Sequence, residues 1–170
     1  MNFFEIINSR YSHRTKYTSA PVPKEDLIKI ISAATNAPSG CNAQTSYFTV
    51  VTDPTLLTKL ADIISSDATR TAPAMVVVST EKVTFDFGLD FEIEDYAAAV
   101  QTILLSATAL GYASCWYDGM SRLNGNDTAI ANILDIPKTQ QVRTILPIGI
   151  PETQGKPAQR KPLDQRVTWL

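Results

Sequence analysis

Ala37-Pro38-Ser39-Gly40-Cys41-Asn42-Ala43-Gln44 sets two side-chain amides among small and turn-forming residues, just before an apolar run from Tyr47 to Val51. Such a loop can bring backbone N–H groups close to a ligand. Asn42 and Gln44 each donate and accept, which suits the edge of a flat heteroaromatic ring. The plain alternative is an ordinary helix-to-strand turn. A basic cluster, Arg10-Tyr11-Ser12-His13-Arg14-Thr15-Lys16, offers guanidinium forks and a hydroxyl for phosphate or a carbonyl edge. Taken alone it reads rather as the solvated C-terminal end of a first helix, where cations suit the helix dipole. Lys156, Arg160 and Lys161 form a second basic group near the far end, either half of a phosphate clamp or a solvated tail. Cys115-Trp116-Tyr117-Asp118-Gly119-Met120 closes a strand pattern, and Gly119 would let the backbone approach a ligand.

Other chemistries have little to work with. His13 is the single histidine, so a zinc site or a His-based triad is poorly supplied, and it reads as a surface or hinge residue. Cys41 and Cys115 lie far apart, outside any metal-ligand spacing, and are expected as free thiols in a reducing compartment. There is no P-loop and no glycine-rich dinucleotide turn. A net charge of −2 without a basic, aromatic-laced stripe argues against nucleic acid. No apolar segment is long enough to cross a bilayer. The N-terminus lacks the basic and apolar regions of a signal peptide, so a cytoplasmic location is expected.

These residues need a scaffold. With 170 residues, 44% hydrophobic and 19% charged, the chain fits one globular domain over 1–170. Phe3, Ile6 and Ile7 keep helical spacing. Leu27, Ile30, Ile31 and Ala34 follow Pro23 at i, i+3, i+4, i+7, and Leu57, Leu60, Ala61 and Ile64 follow an Asp53-Pro54 start. The longest helical pattern runs from Tyr96 to Leu110, with an apolar arc broad enough for packing on two sides and Gly111 as its stop. A short helix containing Ile130, Ile133 and Leu134 ends before Pro137. Strands are expected at Tyr47 to Val51, Ala74 to Ser79, Tyr112 to Tyr117 and Val142 to Ile150, with a bulge or sheet edge at Pro147. Helices and strands do not alternate strictly, which favours α+β around a central sheet.

Taken in order, these elements resemble the nitroreductase family of FMN-dependent oxidoreductases, nearly end to end. Ser9-Arg10-Tyr11-Ser12-His13-Arg14 is similar to its Arg-x-Ser-x-Arg/Lys opening, and Pro21-Val22-Pro23 to the lead into its second helix. The 37–44 loop matches Ala-Pro-Ser-x-x-Asn-x-Gln. Residues 107–116, ATALGYASCW, and Pro147-Ile148-Gly149-Ile150-Pro151 with Arg160-Lys161-Pro162-Leu163 resemble its later segments.

The resemblance implies a three-layer sandwich with a central, mostly antiparallel sheet. It implies an intertwined homodimer with FMN at the subunit interface and the tail from about 152 to 170 reaching the partner. Arg10 and Ser12, with Tyr11 beside them, would meet the phosphate and ribityl region, and Arg160 would close the clamp. Arg14 would lie near the pyrimidine. Asn42, with Pro38, Ser39, Gly40 and Gln44, would bind the ring edge, and the Asp118-Gly119 backbone would approach N5 from the partner chain. The implied activity is two-electron reduction of an electron-poor small molecule, of nitroaromatic or quinone type, by NAD(P)H. A non-catalytic FMN-binding or flavin-storage protein of the same fold is the alternative, and a thiol redox protein using Cys41 and Cys115 is a third. Thr45 and Ser46 stand where members often carry proline and an aromatic residue, and the chain leaves little room for a helical roof.

Overall fold

A computed structural model describes residues 1–170. Four strands form one antiparallel sheet: β1 (Ser46–Val51), β2 (Ala74–Glu81), β3 (Ala113–Ser114) and β4 (Gln140–Gly149), in the order β1-β2-β4-β3. β2 is a continuous apolar run because both its faces are covered. Its alternate residues divide the core. Met75 and Val77 join Ile145 of β4 on one face, while Ala74, Val76 and Val78 join Leu146 and Ile148 on the other.

Helices α1 (Phe3–Ser9) and α2 (Lys24–Thr35) precede the sheet. α3 (Pro54–Ile63) and α4 (Asp67–Thr71) fall between β1 and β2, and α5 (Glu92–Ala109) follows β2. α6 (Asp118–Arg122) and α7 (Asn126–Ile133) lie between β3 and β4. Leu27, Ile30 and Ala34 of α2 and Val100, Ile103, Leu104 and Ala107 of α5 cover one face of the sheet. Leu60 and Ala61 of α3, Ala68 of α4 and Ile130 of α7 cover the other. The result is the expected three-layer α+β sandwich. Each Ile or Leu buried here contributes about 1.5–3 kcal/mol relative to exposure.

Local chemistry sets the boundaries. Asp53 caps α3 by accepting from the Leu56 N–H at 2.9 Å, with Pro54 in the first helical position. Gly111, at φ 87°, adopts the left-handed turn that ends α5.

Three expectations change. The 112–117 strand is paired in the ladder only at Ala113 and Ser114, then touches β4 once more by a bridge between Tyr117 and Ile145. Pro147 lies inside β4 opposite Met75, and the bulge falls instead at Val78/Ser79. Proline is tolerated because β4 has no ladder partner on its β3 side between Ile145 and Ile148. His13 is 2% exposed rather than a surface residue. Its ring packs between those of Tyr11 and Tyr17 and hydrogen-bonds the Lys16 carbonyl oxygen at 3.1 Å.

At the two ends the chain buries little. Phe3, Phe4 and Ile7 of α1 are exposed, as are Leu163 and Trp169 beyond β4, where the only regular element is a 3-10 turn at Leu163–Gln165.

Candidate functional site: a basic clamp and a left-handed loop

The 10–14 segment leaves α1 in extended conformation and is fixed to β3. Ser12 bridges Ser114, and the His13 N–H donates to the Ser114 carbonyl at 3.0 Å. This places Arg10, Ser12 and Arg14 around Cys115. Burial pushes the Cys115 thiol up, while Arg14, Ser12 and Arg10 pull it back. Arg10 is itself held below the usual guanidinium value, by burial first and then by the positive charge of Arg160. Arg160, about 150 residues away in sequence, thus lies within electrostatic reach of Arg10.

Tyr11 explains how the tail reaches this place. Gly155 presses on its ring so closely that a Cβ there would lie 2.3 Å from Cε2. The Tyr11 hydroxyl is buried and has no hydrogen-bond partner. None of the chain's four ion pairs involves Arg10, Arg14 or Arg160. Like charges gathered without a carboxylate describe an anion site.

The 37–44 loop is strained in a way the sequence does not announce. Cys41, Asn42 and Gln44 all have left-handed backbones, with φ of 50°, 56° and 51°. Non-glycine residues in that region cost on the order of 1–2 kcal/mol each, and such strain gathers at functional sites. Three bonds hold the loop. The Gly40 N–H donates to Asp95 Oδ1 at 2.8 Å, the Thr45 hydroxyl to Asp95 Oδ2 at 2.7 Å, and the Gln44 N–H to Ser39 Oγ at 3.0 Å. Gly40 also lies on the Phe91 ring, where a Cβ would come within 2.3 Å of Cδ2. Pro38, Ser39 and Gln44 line a cavity of about 130 Å³.

Asp118 and Gly119 open α6. Asp118 accepts from the Tyr96 hydroxyl at 2.6 Å and pairs with Arg122 through Nε at 2.8 Å. Burial and then Asp118 push the Tyr96 phenol up to about 12.

The cavities beside the basic clamp and beside the loop are separate. The loop is tied to Asp95 at the start of α5 and the clamp to Ser114 in β3. A cavity of about 190 Å³ borders Tyr11, and a larger one of about 580 Å³ lies between α2 and β1, lined by Val22, Leu27, Ile28, Ile31 and Val50. Neither includes both halves. Asp95 and Tyr96 were not singled out by the sequence, although Asp95 shares the buried 95-99-103-107 stripe, where an acidic residue is a signal.

The family model described as nitroreductase family matches residues 7–89 and 62–150. A protein of Archaeoglobus fulgidus carrying the name NADH dehydrogenase/NAD(P)H nitroreductase is 30% identical over 88% of this chain and 86% of its own length. One of the same name from Methanothermobacter thermautotrophicus is 31% identical over 89% of this chain and 78% of its own. Among solved structures, an FMN-dependent nitroreductase from Clostridium difficile R20291 is 30% identical and covers 98% of both chains, with a TM-score of 0.83. Motif order, three-layer architecture and these matches agree: the chain belongs to the nitroreductase family.

Proposed function

We propose that this chain is an NAD(P)H-dependent FMN oxidoreductase that reduces an electron-poor small molecule of nitroaromatic or quinone type. The observation that carries the reading is the tail folded onto Tyr11 through Gly155, which sets the positive charge of Arg160 against Arg10 with neither arginine in an ion pair. A flavin phosphate supplies the missing anion. The site also fits the rest of that cofactor: an orphaned hydroxyl at Tyr11 and, in the 37–44 loop, backbone and amides strained open for a polar ring edge. The enzyme relatives named above support it.

Bound FMN would supply two-electron chemistry between the nicotinamide and the acceptor. The chain binds and orients. Arg10, Ser12 and Arg160 hold the phosphate, with Tyr11 anchoring the segment. Arg14 adds positive charge on the pyrimidine side. Asn42 and Gln44, set by Pro38, Ser39 and Gly40, hydrogen-bond the ring edge, and the Asp118–Gly119 backbone approaches N5. None of these roles asks for a protein acid or base.

We further propose that residues 1–170 act as one unit in a homodimer with a flavin at each interface. The separate cavities at clamp and loop support it, about 190 and 130 Å³, each below the roughly 300–1,000 Å³ usual for ligand pockets. So do α1 and the 152–170 tail, whose apolar side chains lack cover.

One preparation tests the reading. The purified protein, loaded with FMN, is followed by visible absorption under anaerobic NADH or NADPH, then given a quinone or nitroaromatic acceptor. Bleaching on the donor and recovery on the acceptor is expected. Failure to take up FMN overturns the cofactor assignment; flavin that never bleaches leaves the storage role standing. A chain cut after Pro151 should lose dimer and FMN together, and a flavin-loaded truncated dimer contradicts the role of the tail.

A further inference from the structure

We infer that Asp95 and Tyr96, consecutive residues near the start of α5, are the positioning residues that aim the two backbone segments assigned above to the flavin ring. The inference rests on that functional reading. Asp95 is 4% exposed and uses both carboxylate oxygens, one on the Gly40 N–H and one on the Thr45 hydroxyl. It therefore fixes both ends of the left-handed stretch that carries Asn42 and Gln44. A carboxyl group is so deeply buried only when its oxygens are matched, and here both are.

Tyr96 points its hydroxyl at Asp118. The ring cannot drift: Trp116 stands edge-on at 6.1 Å, and the Arg143 guanidinium lies 5.9 Å from the ring centre on a bond to the Thr80 hydroxyl at 2.8 Å. The hydroxyl reaches Asp118 Oδ2 while Arg122 takes Oδ1, so the start of α6 is held at both carboxylate oxygens and its charge is spread. One turn of α5 thus sets the loop and the 118–119 backbone independently, through different atoms.

The two residues must then fail differently. Asp95→Ala should weaken FMN binding by the apo-protein on the order of tenfold, since it frees the ring-edge loop. It should also speed amide exchange at Gly40 in the apo-protein, and Asp95→Asn should restore most of both. Thr45→Val, which removes one bond only, gives a smaller change in the same direction and serves if the alanine variant does not fold. Tyr96→Phe should keep FMN affinity within about twofold but lower the midpoint potential of the bound flavin and slow its reduction by NADPH on the order of tenfold. The sign follows from Asp118 losing a donor and concentrating negative charge beside the ring. A wild-type chain that takes up no FMN overturns the functional reading, and this inference with it. A loaded wild type whose variants lose thermal stability but keep its affinity, potential and Gly40 exchange overturns the inference alone.

Discussion

Gly155 rests on the Tyr11 ring, with room for a hydrogen and none for a methyl group. The contact brings the tail, and Arg160 with it, back to Arg10. Gly155→Ala should therefore lift the tail and weaken FMN binding on the order of tenfold, with little change in melting temperature, because the tail buries little of the core. Flavin fluorescence titration of the variant checks it.

Arg10 and Arg160 repel one another until an anion lies between them. Removing Arg160 should destabilise the FMN-loaded protein yet leave the apo-protein unchanged, or about 1–2 °C more stable. The same substitution should weaken FMN far more than riboflavin, which lacks the phosphate. Parallel melts and titrations with both flavins decide the point.

At Asn42 the backbone and the amide can be separated. Asn42→Gly keeps the left-handed φ of 56° and deletes only the side chain, whereas Asn42→Ala adds strain of about 1 kcal/mol. Both should retain flavin poorly, and the alanine variant should also unfold at lower urea. If the glycine variant matched wild type in flavin content and reduction rate, the amide would have no part in the site.

Alkaline stability follows from five raised phenols, with Tyr47 and Tyr117 the less shifted. Tyr17 is raised well above the usual value by burial; Tyr96 and Tyr112 are each raised to about 12 by burial and then by Asp118 and Asp26 respectively. The unfolded chain releases these protons from about pH 10 while the folded chain keeps them, so stability falls as pH rises through 10 to 12. Urea midpoints measured from pH 8 to 11.5 should decline, and Tyr112→Phe should flatten part of the decline.

Thiol chemistry should be dispensable. Cys115 is 1% exposed and its thiol is raised by burial, the opposite of an activated nucleophile. Cys41→Ser combined with Cys115→Ala should reduce bound flavin at a rate within about twofold of wild type in stopped-flow absorbance. Abolished activity would favour the thiol reading.

Periodicity and caps made most of the scaffold legible. The Asp53-Pro54 start, the apolar stripe of α5 and the run of β2 are local patterns, and local patterns survive folding. α4 and α6, at five residues each, are too short to show a period, although Ser66 and Thr69 form a capping box. The 112–117 run reads as longer than its two-residue ladder because apolar composition cannot say where a ladder lets go. At the site, residue types were legible and arrangement was not. The 37–44 loop stood out, but its left-handed run depends on Asp95, and the approach of Arg160 to Arg10 depends on Gly155 meeting Tyr11 across the whole chain.

α1 is a seven-residue helix with a capping box at Asn2 and no fully buried side chain. Helices of that length do not persist on local bonds alone, so in the proposed homodimer the order of α1 would follow mass action. A dilute subunit would fray at both ends and a concentrated one would not, so dilution itself would act on this protein as a mild denaturant.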